Sequence, residues 1–163
     1  MASIDYLKIL RTLAEHEVEY IVVGGVSAVL QGATVNAFDV DVVHRRSPEN
    51  IQRALAALAA LDAYYRFQPA RRLRPGTSHL QSPGHQLLMT SAGPLDLHGT
   101  IGESFTYDDL VDSTERMSIG EGFSVRVLQL ERLIAIKEDM GGDKDLAVLP
   151  TLRRALEEKR RRR

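Results

Sequence analysis

The sequence predicts an α/β (α+β) fold: a mixed β-sheet with helices packed on it. Three observations carry this. Through the first third of the chain, short β-branched or aromatic runs alternate with segments whose apolar residues recur at helical spacing. Further on, strand-like runs follow one another across tight turns, too closely for all of them to be parallel. Finally, 163 residues that are 44% hydrophobic supply material for one sizeable core.

In order, Ser3 is placed to cap a first helix carrying Ile4, Leu7, Leu10, Leu13 and Ala14. Tyr20 to Val23 reads as a buried strand that Gly24-Gly25 ends. Val26 to Gln31 suits a short helix stopped at Gly32, and Phe38 to Val43 a second strand. Ser47-Pro48 opens a helix whose apolar face is Ile51, Leu55, Leu58 and Leu61. Tyr64 to Phe67 reads as a strand and Gln68 to Gly84 as a loop bearing Pro, Gly and Arg. Gln86 to Ser91 and Pro94 to Leu97 form two strands joined at Ala92-Gly93. Thr106 with Asp109 marks a capped helix reaching Ser113. Met117 to Ile119 and Phe123 to Leu128 form a hairpin around Gly120-Glu121-Gly122. Leu130, Leu133 and Ile134 start a helix broken by Gly141-Gly142, and a last helix is expected to begin near Pro150.

Residues 1–158 read as a single domain. With no cysteine, disulfides, thiolate metal sites and cysteine nucleophiles are excluded. No apolar run approaches the roughly 20 residues that cross a bilayer, and no signal-peptide pattern precedes the first helix, so a cytoplasmic location is expected. The net charge of -1 divides unevenly: residues 153–163 carry seven basic and two acidic side chains, leaving an acidic body. Residues 159–163 read as a disordered basic tail.

Within that acidic body the sharpest feature is Phe38-Asp39-Val40-Asp41-Val42-Val43. On a strand Asp39 and Asp41 share one face, and Phe38, Val40 and Val42 the other. Two like charges on a half-buried face repel, and a divalent cation such as Mg²⁺, which takes carboxylate oxygens, offsets that cost. A solvated edge strand is the other reading. Leu95-Asp96-Leu97 adds one acid on a second strand, and beside the first it completes a three-carboxylate cluster. His98 shares the face of Asp96 by the same period, which makes it a candidate for a minor role in the site beside the ordinary reading as a structural or exposed histidine. His44, His79 and His85 have no zinc-motif spacing. Gly24-Gly25 leaves backbone N–H groups open to a phosphate. Arg66, Arg71, Arg72 and Arg74, near Tyr64, Tyr65 and Phe67, suit a nucleic-acid backbone and a stacked base, such as an RNA end, and a mobile solvated loop is the other reading.

Val23-Gly24-Gly25-Val26-Ser27, thirteen intervening residues from Gly25 to Asp39-Val40-Asp41, and Leu95-Asp96-Leu97 together resemble the nucleotidyltransferase superfamily with its polymerase-β-like fold. Within it the chain is most similar to small bacterial minimal and AbiEii toxin-like members, and Leu133 to Lys137 with Lys144-Asp145-Leu146 looks like that group's ending. The resemblance implies that Asp39, Asp41 and Asp96 hold two Mg²⁺ ions together with a bound nucleoside triphosphate (NTP). It implies that Gly24, Gly25 and Ser27, with Lys137 and Lys144, contact its phosphates. A nucleoside monophosphate would pass to a hydroxyl of an RNA end, a protein or a small molecule such as an aminoglycoside. A toxin–antitoxin or defence setting, a homodimer and a cognate partner protein belong to the same expectation. Gly25, Ala37, Val35 and Asn36 depart from the family pattern around the phosphates. Two alternatives therefore stand beside the enzyme: a catalytically silent nucleotide-binding or antitoxin module of the same fold, and an acidic-faced interaction domain.

Overall fold

Helices and strands alternate from the start of the chain in the computed structural model, which describes residues 4–120 and 122–162. The first half comprises α1 (Tyr6–Glu15), β1 (Tyr20–Val23), α2 (Gly24–Leu30), β2 (Val40–His44), α3 (Pro48–Ala60) and β3 (Tyr64–Tyr65). Next come α4 (Thr77–Gln81), β4 (His85–Thr90), β5 (Gly93–His98) and α5 (Tyr107–Leu110). The chain continues with β6 (Thr114–Gly120), β7 (Phe123–Leu128), α6 (Leu130–Met140) and α7 (Asp143–Arg161). The strands form one seven-stranded mixed sheet, ordered β3-β4-β5-β2-β1-β7-β6. The tight turns give antiparallel neighbours (β4 with β5, β6 with β7), whereas β2 runs parallel to β5 and β1 parallel to β7.

Period-two alternation sorts the sheet into two apolar layers. Val22, Val40, Val42, Leu95 and Leu97 face α1 and α3, where they meet Leu10, Leu13, Ile51 and Leu58. Ile21, Val23, Val43 and Leu128 face the other way, towards Tyr107 of α5, Leu133 and Ile134 of α6 and Leu149 and Leu152 of α7. This second layer contains no residue of β4 or β5. A polar strip lies at its margin, and Asp41, Asp96 and His98 occupy it.

Several boundaries differ from the sequence expectation. Ser3 lies outside the described residues, and the first helix is capped by Asp5, whose carboxylate accepts from the Lys8 N–H at 3.1 Å. The helix after β1 begins at Gly24 itself rather than at Val26. The second strand starts at Val40, not Phe38: Gly24 turns the β1 partner away, and on the β5 side the register sets Asp39 opposite Pro94, which has no N–H to donate. Phe38 is accordingly 75% exposed instead of sharing the core face. The third strand stops at Tyr65, and the expected 68–84 loop contains a 3₁₀ turn, Pro69–Arg71, as well as α4. The expected hairpin and the Thr106–Asp109 cap are present, with Glu121 outside the described residues.

The last helix starts at Asp143, capped through the Gly142 N–H to Asp145 Oδ2 (3.2 Å), and runs through Pro150. Pro150 sits on the exposed side, as does Leu146 one turn earlier, so water can reach the carbonyl that loses its bond. Pro150→Ala restores that bond and is expected to raise stability by about 1–3 kcal/mol, seen as a higher Tm in thermal denaturation. A lower Tm would mean that the pyrrolidine packing outweighs the missing bond.

The basic run expected to be disordered instead continues α7 as far as Arg161, with Arg163 outside the described residues. Its anchor is Lys159, only 17% exposed, which donates to Gln31 Oε1 at 2.9 Å and pairs with Glu115. Like-charge repulsion along the run is offset by acceptors from β6 and from the end of α2, contacts that no local pattern announces.

Candidate active site

The centre is built from the mouth of the parallel pair β2–β5. Their register places Asp41 directly beside Asp96, and Val43 beside His98. Because side chains two apart share a face, Asp41, Asp96 and His98 project to one side. One donor atom from each lies within 4.8 Å of the other two.

Asp39, on the bend before β2, stands outside that group of three but near enough to interact with the carboxylates of Asp96 and Asp41. Burial raises its carboxyl above the ordinary carboxylate range. The negative charge of Asp96 and a hydrogen bond with that carboxylate add to the rise, while Asp41 and Arg66 oppose it. Crowded carboxylates of this kind hold protons or a cation. The donor set, dominated by carboxylate oxygens, fits a hard divalent ion.

His98 is more closely involved than its minor expected role. Its Nε2 lies 2.9 Å from Asp41 Oδ1, with the two side chains 13% and 19% exposed. Its Nδ1 lies 2.6 Å from Nδ1 of His85, the rings meeting edge to face at 4.6 Å. One self-consistent assignment has His98 Nε2–H donating to Asp41 and its Nδ1 accepting from His85 Nδ1–H. Burial, then the neighbouring His98, push the His85 imidazole below its usual range. So arranged, His98 orients Asp41. Hairpin register was the available signal for His85: the short turn after Thr90 pairs Thr90 with Gly93 and therefore His85 with His98.

Gly24 has φ +71, and a Cβ there would lie 2.6 Å from Asp41 Oδ2. The absent side chain is what allows β1 to turn against the acid. Gly24, Gly25, Leu133 and Lys137 separate two adjoining clefts. One, of about 470 Å³, contains Asp41, His85 and His98; the other, of about 370 Å³, contains Asp39, Asn36 and Lys144. Lys137 reaches both while pairing with Asp145 at 3.3 Å, and Lys144 lies exposed on the second.

Ser27 is a correction. It is fully buried, and its hydroxyl donates to the Leu128 carbonyl at 3.2 Å while accepting from Gln31 Nε2 at 3.3 Å. One turn into α2 it points at β7, away from both clefts, so it is placed for the core and not for phosphate. The arginine cluster is also largely committed. Arg66 bonds Asp96, Arg72 stacks over the Tyr64 ring at 4.2 Å, Arg74 pairs with Asp62, and Arg71 bonds Gln68 at 2.9 Å. His44 is buried at the far end of β2 with Nε2 2.8 Å from the Leu80 carbonyl, and the Gly76 N–H donates to His79 Nδ1 at 2.9 Å. Both are spoken for by structure.

A Gly-Gly turn closing on an Asp-x-Asp pair, with a third acid in parallel register beside it, is the arrangement of the nucleotidyltransferase fold, and the chain has that fold. Among solved structures it is similar to a Thermotoga maritima protein classed as a nucleotidyltransferase, with TM-score 0.56 and 19% identity over 96% of this chain and 97% of that one. It is similar also to the lincosamide antibiotic adenylyltransferase LnuA in lincomycin-bound form (TM-score 0.61, 14% identity, 91% and 94% of the two chains). A third likeness is to the antibiotic-resistance factor ANT(2″)-Ia, with TM-score 0.59 and 16% identity over 94% and 84%. No protein-family model and no curated protein matches the chain. At these identities the shared property is the fold.

Proposed function

We infer that the protein transfers a nucleoside monophosphate from an NTP to a hydroxyl acceptor, with Mg²⁺ as its metal. The observation that carries this reading is the in-register pair Asp41 and Asp96, with Gly24 packed against Asp41 and Asp39 alongside. The Gly24-Gly25 turn leaves the cleft floor bare, so that phosphates can approach the acids closely. Lys137 and Lys144 stand on the cleft wall as phosphate cations. Asp39 and Asp41 would hold the metal, and Asp96, whose Oδ1 accepts from Arg66, would take the proton of the acceptor hydroxyl on its other oxygen. That hydroxyl oxygen attacks the α-phosphorus, its proton passes to Asp96, and the bond to the bridging oxygen breaks to release pyrophosphate. Bound Mg²⁺ supplies charge neutralisation at the entering and leaving oxygens.

The adenylyltransferase neighbours make ATP the first donor to try and a small hydroxylated molecule such as lincomycin the first acceptor. RNA ends and protein hydroxyls are the others. A second reading draws support from Ser27, whose hydroxyl is spent on the core, and from Ala37, which stands where the family resemblance implies a hydroxyl. Under it the chain binds nucleotide without transfer and regulates or neutralises a partner protein, as an antitoxin would.

The decisive assay incubates the protein with Mg²⁺, each α-labelled NTP in turn, and lincomycin, an aminoglycoside, total RNA or total protein. Label transfer that disappears in Asp39→Ala is the expected result. NTP binding without transfer would establish the second reading. Neither binding nor transfer would leave only an acidic interaction surface.

A further inference from the structure

Arg66 leaves the end of β3 and is held at three points. Its backbone N–H donates to the Leu87 carbonyl at 3.1 Å, its Nη1 to the Leu88 carbonyl at 2.7 Å, and its Nη2 to Asp96 Oδ1 at 2.7 Å. One main-chain carbonyl of β4 holds the backbone of Arg66 and the next holds its guanidinium, so the cation is tied to the sheet as well as to Asp96. The pair is well shielded, with Arg66 27% and Asp96 11% exposed. Arginine stays charged at any working pH, and its planar fork suits a carbonyl and a carboxylate together. One oxygen of Asp96 therefore already faces a permanent positive charge.

Two divalent ions among three carboxylates would need that oxygen, or would have to sit beside the guanidinium. A second ion is disfavoured on both counts: a bond to displace and a like charge nearby. Asp41, by contrast, gives Oδ1 to His98 and has Oδ2 against Gly24 at the cleft wall, and Asp39 lies beside it. The geometry points to Arg66 as the built-in cation of the centre, a positioning residue acting through Asp96, so that the protein takes one divalent ion where the family resemblance implies two. This rests on the metal-dependent nucleotidyl-transfer reading above.

The test counts ions. Protein is equilibrated with Mn²⁺ and the α,β-methylene analogues of the four NTPs, passed rapidly through a desalting column, and its retained Mn²⁺ measured by atomic absorption. Wild type is expected to retain one ion per chain, Arg66→Gln two, and Arg66→Lys, which keeps a charge, one. Two ions in wild type would overturn the proposal while leaving the transfer reading intact, whether or not the variants fold. One ion in a folded Arg66→Gln, verified by circular dichroism, would overturn it as well. No retained Mn²⁺ in any of the three proteins would remove the metal-dependent reading itself, and the inference with it.

Discussion

Asp41→Asn is expected to lower nucleotidyl transfer by about 10²–10³-fold or more, the scale seen when one preorganised electrostatic group is removed from a reaction centre. Several roles converge on this side chain. It is the in-register neighbour of Asp96, the acceptor for His98, and the group against which Gly24 packs. Asparagine keeps the size and can still accept from His98 Nε2, but it loses the anionic oxygen that faces the cleft. The fold should not suffer. Removing one charge from a crowded acidic group relieves repulsion, so Tm is expected to stay level or rise. Transfer measured beside a melting curve separates the two effects: lost transfer at unchanged Tm assigns the loss to chemistry. Undiminished transfer would place the reaction elsewhere.

Gly24→Ala is expected to damage both stability and activity. At φ +71 an L-residue costs about 1–2 kcal/mol through its Cβ and carbonyl alone. The new methyl would also lie 2.6 Å from Asp41 Oδ2, a distance that real side chains do not tolerate. Asp41 is tied on its other oxygen to His98 at 2.9 Å, so relief has to come from moving the acid or the turn. A displacement approaching 1 Å at a catalytic group can cost about 10²-fold in rate. Gly25→Ala is the comparison, since its Cβ would rest 3.4 Å from that of Ala37 and Gly25 is not among the positive-φ glycines. Chemical denaturation should show the Gly24 variant to be the less stable by more than 1 kcal/mol, on the same conformational argument. Equal stabilities would mean that the turn relaxes freely.

Much of this was legible in the chain. Tyr20 to Val23, the Ser47-Pro48 helix start, the Thr106–Asp109 cap and the hairpin before Leu128 are signalled by nearest-neighbour chemistry, and each formed as that chemistry dictates. The three acids could be picked out because Asp is costly on a strand between apolar neighbours. His98 was visible through period-two spacing, whereas the place of His85 beside it rests on the β4–β5 register and was not read from the chain. The misplaced features share a cause. Phe38, Ser27, Arg66 and Lys159 each depend on a partner far along the chain: the strand beside Asp39, the Leu128 carbonyl, Asp96, and Gln31 with Glu115. Pro150 misled for the related reason that tertiary packing can carry a helix through a proline whose lost bond faces water.

By itself the sequence determined the type of most elements outside the 68–84 segment and the basic end, the alternation that sorts the sheet faces, and which acids are available for chemistry, because these follow from propensity and spacing along one strand or helix. Only the tertiary structure decided the parallel register that sets Asp41 beside Asp96, the turning of Ser27 into the core, and the guanidinium of Arg66 on the third acid. Those are matters of which distant segments pair and at what offset. That choice is made by burying whole faces against one another, and no local stretch of residues encodes it.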